Sequence, residues 1–214
     1  MNKTDQFVIT INREMGSGGR TVGRKLAEQL GVNFYDKALI KALQEKYQLD
    51  VEEIEKLKGR KHGWLEEAKR VMSIGPGTMG MQYYQASVTE KPDLLTTDEM
   101  FKVEQEILES IAENETCVIA GRCGFYVFRN HPNHLSILIQ APMAYRLQRV
   151  HQKQGLSLEE AEKVIKKTDQ MRENYVKNYT KTSRYDTRNY DMVINMNWLT
   201  EDQAVQMILD YIGK

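Results

Sequence analysis

The chain has 214 residues, with 30 Lys plus Arg against 30 Asp plus Glu and a formal net charge of zero. That length suits one α/β domain with a substantial core, or such a core carrying an inserted lid. The balanced charge argues against a general nucleic-acid binder, so any anion site must come from local placement of cations.

The opening segment, residues 1–12, has no long apolar core and no small-residue cleavage site. No apolar run approaches the roughly 20 residues that span a bilayer. The expectation is a soluble, cytoplasmic protein with no membrane partner. Cys117 and Cys123 are too few and too close in sequence for a disulfide framework, and they fit a reducing compartment.

Five short, β-rich apolar runs lie at residues 7–11, 32–35, 117–120, 135–139 and 192–195. Each is largely apolar rather than alternating, as strands covered on both faces are. Segments of helical period separate them. The order β-α-β-α-β-α-β-α-β-α predicts an α/β fold with a five-stranded parallel sheet and helices on both faces.

The first strand runs into Asn12-Arg13-Glu14-Met15-Gly16-Ser17-Gly18-Gly19-Arg20-Thr21, and a helix follows with Val22, Leu26 and Leu30 on one face. In a strand, Gly-loop, helix unit, backbone N–H groups turn inward and cradle an anion, and glycine lets the backbone approach. Arg13, Gly16, Ser17, Gly18, Gly19, Arg20 and Thr21 are therefore the predicted phosphate-binding residues. Arg13, Arg20 and Arg24 are the cations available to neutralise it. The pattern G-x-x-x-x-G-K-[ST] fits in two registers. One puts Gly18 at the second Gly, Gly19 at the Lys and Arg20 at the Ser/Thr. The other reads Gly19-Arg20-Thr21 as Gly-Lys-Thr with Arg20 for the lysine. The alternative is a Gly-rich turn with no ligand.

Further along, Asp36 follows the second strand, at the carboxyl end where ligands of open α/β sheets bind. It also suits a helix N-cap, and one residue can do both. Residues 59–95 are too long for a bare loop and predict an insertion with structure of its own. Its Met72, Met79, Met81, Tyr83 and Tyr84 suit either a local core or a flexible substrate cover. Thr96-x-x-Glu99, Ser157-x-x-Glu160 and Thr200-x-x-Gln203 read as capping boxes. Apolar faces such as Met100, Val103, Ile107 and Ile111 read as core.

Gly121-Arg122 follows the third strand, and a guanidinium there can bind phosphate bidentately. A basic, tyrosine-rich region over residues 153–188 follows Arg146 and Arg149. It carries Lys167, Arg172 and Arg184, and predicts a lid that supplies charge to a transferred phosphoryl group. Arg172 is the preferred residue, then Arg146, Lys167 and Arg184. His62, His131, His134 and His151 form no metal-site spacing, and no Gly-x-Ser-x-Gly elbow occurs.

The stretch ITINREMGSGGRTVGRKLAEQLGVNFYD resembles the start of bacterial cytidylate kinases. It is closer still to the cytidylate-kinase-like proteins, whose loop also lacks the usual lysine. The resemblance extends to VIAGRCGFYVF, to residues 135–150 and to 169–195, and is weak across 59–95. It implies a P-loop fold of the nucleoside-monophosphate-kinase type, with an acceptor-binding insertion and a basic lid closing over ATP. It further implies that Asp36 contacts or activates the acceptor and that Arg122 holds it. Cys123 departs from the pattern, standing where cytidylate kinases have Asp.

The expected function is ATP-dependent phosphoryl transfer to a small acceptor, such as the nucleoside monophosphate CMP. Arg20, Asp36, Arg122 and Arg172 are the candidate catalytic residues, and Asp36 and Arg122 the candidate acceptor site. Mg²⁺ would arrive with ATP, held by phosphates and water with Thr21 or Asp36. The alternative is a non-catalytic nucleotide-binding or regulatory module. The Met/Tyr-rich insertion is a candidate homodimer surface.

Overall fold

The structure, a computed structural model, describes residues 2, 4–37 and 98–213. The expected insertion at 59–95 with its Met72, Met79, Met81, Tyr83 and Tyr84, the capping residue Thr96 and His62 lie outside the described residues. The chain forms two compact units, residues 1–35 with 115–214, and residues 36–114.

The strands are β1 (Val8–Arg13), β2 (Asn33–Asp36), β3 (Cys117–Ala120), β4 (His134–Gln140) and β5 (Met192–Asn195). They form one parallel sheet in the order β2-β3-β1-β4-β5. Register pairs Ile11 with both Ala120 and Ile137, and Gln140 with Asn195. The carboxyl ends of β1, β3, β4 and β5 therefore share one edge. β1 is central, where the chain changes from building one side of the sheet to building the other. In open α/β sheets that switch point is where ligands bind.

Helices α1 (Gly19–Leu30) and α6 (Glu201–Tyr211) lie side by side and close one face of the sheet. Val22, Leu26, Val205 and Ile208 join Ile9, Ile11, Ile137 and Ile139 in a single buried cluster. Each fully buried aliphatic side chain contributes about 1.5–3 kcal/mol, whereas an exposed ion pair contributes about 0–1. The apolar layer thus fixes where α1 begins relative to β1. The exposed Arg24–Glu28 pair, 3.9 Å apart, does not.

Helix α2 (Asp98–Asn114) belongs to the second unit, and its Val103, Ile107 and Ile111 are buried at helical spacing as expected. The short α3 (Gly124–Val127) follows β3, and α4 (Met143–Gln154) follows β4. The region expected as a lid is largely one helix, α5 (Leu158–Thr180), followed by a single 3₁₀ turn at Thr187–Asn189. Ser157 with Glu160 and Thr200 with Gln203 both form complete capping boxes.

His134 opens β4 with Nε2 2.7 Å from Thr10 Oγ1 and its ring edge against Phe128. Burial lowers its pKa from 6.5 to about 4, against the opposing pull of Asp191 and with a smaller push from His131. The folded protein therefore holds this imidazole neutral while the unfolded chain protonates it. Its contribution to stability is complete above pH 6.5 and is lost as pH falls towards 4. His134→Gln should flatten that dependence. Urea unfolding at neutral pH and near pH 4.5 should show a wild-type loss exceeding the variant's by on the order of 2 kcal/mol. Equal losses would remove His134 as the cause.

Candidate nucleotide site

The loop after β1 is shaped by its own hydrogen bonds. Ser17 is fully buried, and both its N–H and its hydroxyl donate to the Glu14 carbonyl, at 3.3 and 3.0 Å. Gly19 N–H in turn donates to Ser17 Oγ. Ser17 thus holds the loop closed from inside, instead of presenting its hydroxyl to a ligand. Gly18 is the N-cap of α1 at φ +88°, a left-handed conformation that side chains other than glycine's resist. The first intrahelical bond runs from Val22 N–H to Gly18 C=O. The amide dipoles of the first turn are accordingly directed at the loop, where they favour an anion.

The helix start also places the two register candidates. Gly18 closes the loop and Gly19 is the first helical residue, so Arg20 stands on the first turn of α1 and not within the loop. Thr21 follows, its hydroxyl accepting from Arg149 Nη2 at 3.3 Å. Arg149 also pairs with Glu201 at the start of α6. A Cβ on Gly18 would lie 3.5 Å from the Arg149 guanidinium and 3.6 Å from Glu201. Arg24 is exposed a turn further on.

Two other carboxylates tie this loop to α4 and α5. Glu14 accepts from Ala141 N–H at 3.0 Å and faces Arg146 at 3.7 Å. Asp169, on α5, accepts from Met15 N–H at 2.8 Å and pairs with Arg146. Its other neighbours are Arg184 at 3.6 Å and Arg172 at 3.9 Å. Arg172 and Arg184 both donate to the Arg13 carbonyl, where β1 ends. Three arginines from α4, α5 and the segment after α5 therefore converge on the loop. Lys167, expected among them, is exposed instead.

Arg184 is fully buried, and its Nε and Nη1 have no hydrogen-bond acceptor among the described residues. Burial and then the neighbouring Arg172 both lower its affinity for its proton. A buried guanidinium with unmet donors is costly. Unmet guanidinium donors are the chemistry that binds a phosphate group, so these residues fit one.

On the other side of β1, Gly121, Arg122 and Cys123 all adopt positive φ, at 85°, 54° and 54°. Two such residues in succession without glycine store backbone strain, a feature that collects at functional sites. Arg122 lies over the Tyr175 ring of α5, with Cζ 5.2 Å from the ring centre. Cys123 caps α3, and burial pushes its thiol up to about 12 despite the opposing effects of Arg122 and Arg184. It is a neutral thiol at physiological pH. Asp36 is the last residue of β2 and is buried.

Asp169, Glu14 and Glu201 were not picked out from the sequence, and Arg149 was noted only as preceding the lid. The only signal for Asp169 was its spacing of three from Arg172 on a helix; Glu14 and Glu201 carried none.

A model of the cytidylate kinase-like family matches residues 8–198, which takes in the loop, both flanking strands and the arginine-bearing helices. The chain belongs to the cytidylate kinase-like family. Two cytidylate kinases are similar to it along most of their length. That of Methanopyrus kandleri is 22% identical over 210 residues, covering 94% of this chain and 90% of the relative. That of Pyrococcus horikoshii is 27% identical over 199 residues, covering 92% and 84%. Among solved structures, an uncharacterized protein from Eubacterium ventriosum superposes with a TM-score of 0.68 at 24% identity, covering 97% and 98%. A shikimate kinase from Bacteroides thetaiotaomicron gives 0.51 at 15% identity, covering 97% and 99%. These likenesses establish the P-loop kinase fold for this cytidylate kinase-like chain. Among the described residues, no helix is long and apolar enough to cross a membrane.

Proposed function

We propose that this protein is a phosphotransferase that uses Mg²⁺-ATP as donor and a small phosphate-bearing acceptor, a nucleoside monophosphate such as CMP. The observation that carries this reading is the convergence of Arg146, Arg172 and Arg184 on the Gly-rich loop, with donors of buried Arg184 left unmet.

In phosphoryl transfer, positioning and charge neutralisation supply most of the catalysis. The amides of the first turn of α1 and the loop around Gly16 and Gly18 would hold the donor phosphates. Arg172 and Arg184 would face the transferred group, with Arg20 on the first turn as an added cation. Arg122 and Asp36 would serve the acceptor. Mg²⁺, when bound, would offset negative charge on the phosphates, and Thr21 is its candidate protein ligand. Arg149 would then have to release the Thr21 hydroxyl.

A thermal-shift panel of nucleotides with Mg²⁺, followed by ADP release with each nucleoside monophosphate, tests the proposal. A ligand at a hundred times its Kd should stabilise the fold by about 2.7 kcal/mol. ADP release that depends on one acceptor and falls at least about tenfold in Arg122→Ala, with ATP binding kept, supports the enzyme reading. The Gly at position 19 favours a second reading, a module that binds nucleotide without transferring phosphate. ATP binding with no turnover on any acceptor would select it.

A further inference from the structure

The cytidylate kinase-like loop lacks a lysine, and its geometry indicates which residue replaces it. Counting G-x-x-x-x-G-K-[ST] back from Gly18 as the second glycine puts the first glycine at position 13 and the lysine at position 19. This chain has Arg at 13 and Gly at 19. The two positions touch: a Cβ on Gly19 would lie 2.6 Å from Arg13 Cβ and 3.2 Å from its Cγ. That is a collision with the stem of the side chain, not with its movable tip. A lysine at 19 and an arginine at 13 therefore exclude each other, and each glycine makes room for the other's cation.

We propose that Arg13 and Gly19 have exchanged roles, and that the Arg13 guanidinium is the phosphate-binding cation that the pattern assigns to the loop lysine. Arg13 ends β1, and its stem passes under the first residue of α1. Its guanidinium lies over Gly121, where any side chain would overlap Nη1. This puts a positive group against Gly121, the residue before the proposed acceptor ligand Arg122. Arg20, by contrast, is the second residue of α1. The planar fork can hold two phosphate oxygens at once, which an ammonium cannot do with fixed geometry.

The assignment rests on the nucleotide-binding reading above, and one titration series separates the two. Mg²⁺-ATP and adenosine affinities are measured by calorimetry, with thermal midpoints, for wild type, Arg13→Met, Gly19→Lys and the double variant Arg13→Gly/Gly19→Lys. Arg13→Met should weaken ATP roughly tenfold to a hundredfold while sparing adenosine. Gly19→Lys alone should lower the thermal midpoint, because its side chain meets Arg13. The exchanged double variant should regain ATP affinity to within about threefold of wild type, a rescue that a merely structural Arg13 would not permit. Unchanged ATP affinity in Arg13→Met overturns the exchange while leaving the nucleotide reading intact. So does a folded double variant that still binds ATP no better than Arg13→Met. Should the double variant fail to fold, the Arg13→Met result decides alone. Wild type that binds no Mg²⁺-ATP overturns both.

Discussion

Asp169→Asn should destabilise the protein by about 3–5 kcal/mol, the range found when one partner is removed from a buried ion pair. For a chain of this size that corresponds to a fall in thermal midpoint of about 6–20 °C. The reason lies in what Asp169 neutralises. Its carboxylate is within ion-pair distance of Arg146, Arg172 and Arg184 and also accepts the Met15 N–H. Asparagine keeps the shape and one acceptor oxygen, but leaves three guanidinium groups facing one another with Glu14 as the remaining carboxylate near Arg146. Calorimetry with and without about 10 mM inorganic phosphate would report the charge balance directly, since an anion bound among the arginines should recover part of the loss by mass action. A fall of less than about 2 °C would mean that this network does not hold the loop to α5.

Gly18→Val should abolish measurable ATP binding while leaving a folded domain. The left-handed φ of +88° at the N-cap costs a branched side chain about 1–2 kcal/mol, which predicts a thermal midpoint lower by about 2–8 °C. The larger effect is on the ligand. The new side chain would be directed at Arg149 and Glu201, crowding the first turn of α1 where the proposed function places the donor phosphates. Gly18→Ala, smaller but equally strained, should retain weak binding and so separate bulk from backbone. Wild-type affinity in the valine variant would move the phosphate site away from the first turn of α1.

The arginines near the loop show why part of the site was readable and part was not. Gly16, Gly18 and Gly19 announce a loop because a glycine's conformational freedom is local and needs no partner. Arg172 drew notice as a cation in a basic segment, but so did Lys167, which is exposed. Nothing in their sequence neighbourhoods tells them apart. What does is helical phase: Arg172 falls three residues after Asp169, on the face turned to the end of β1, and Lys167 does not. Glu14 and Glu201 were passed over because a single carboxylate has no pattern until its cation is known.

The strand segments and the capping boxes at Ser157 and Thr200 are determined by the sequence itself. Each depends on side chains a few residues apart, so the physics that decides them acts over a span the chain keeps together. The pairing of Asp169 with Met15, of Arg149 with Glu201, and of Arg184 with the end of β1 is decided only by tertiary structure. So is the contest between Arg13 and Gly19 for one volume, although only five residues separate them. The loop folds back so that the end of β1 meets the start of α1, and hard-core repulsion between two stems is expressed only once that closure brings them into contact.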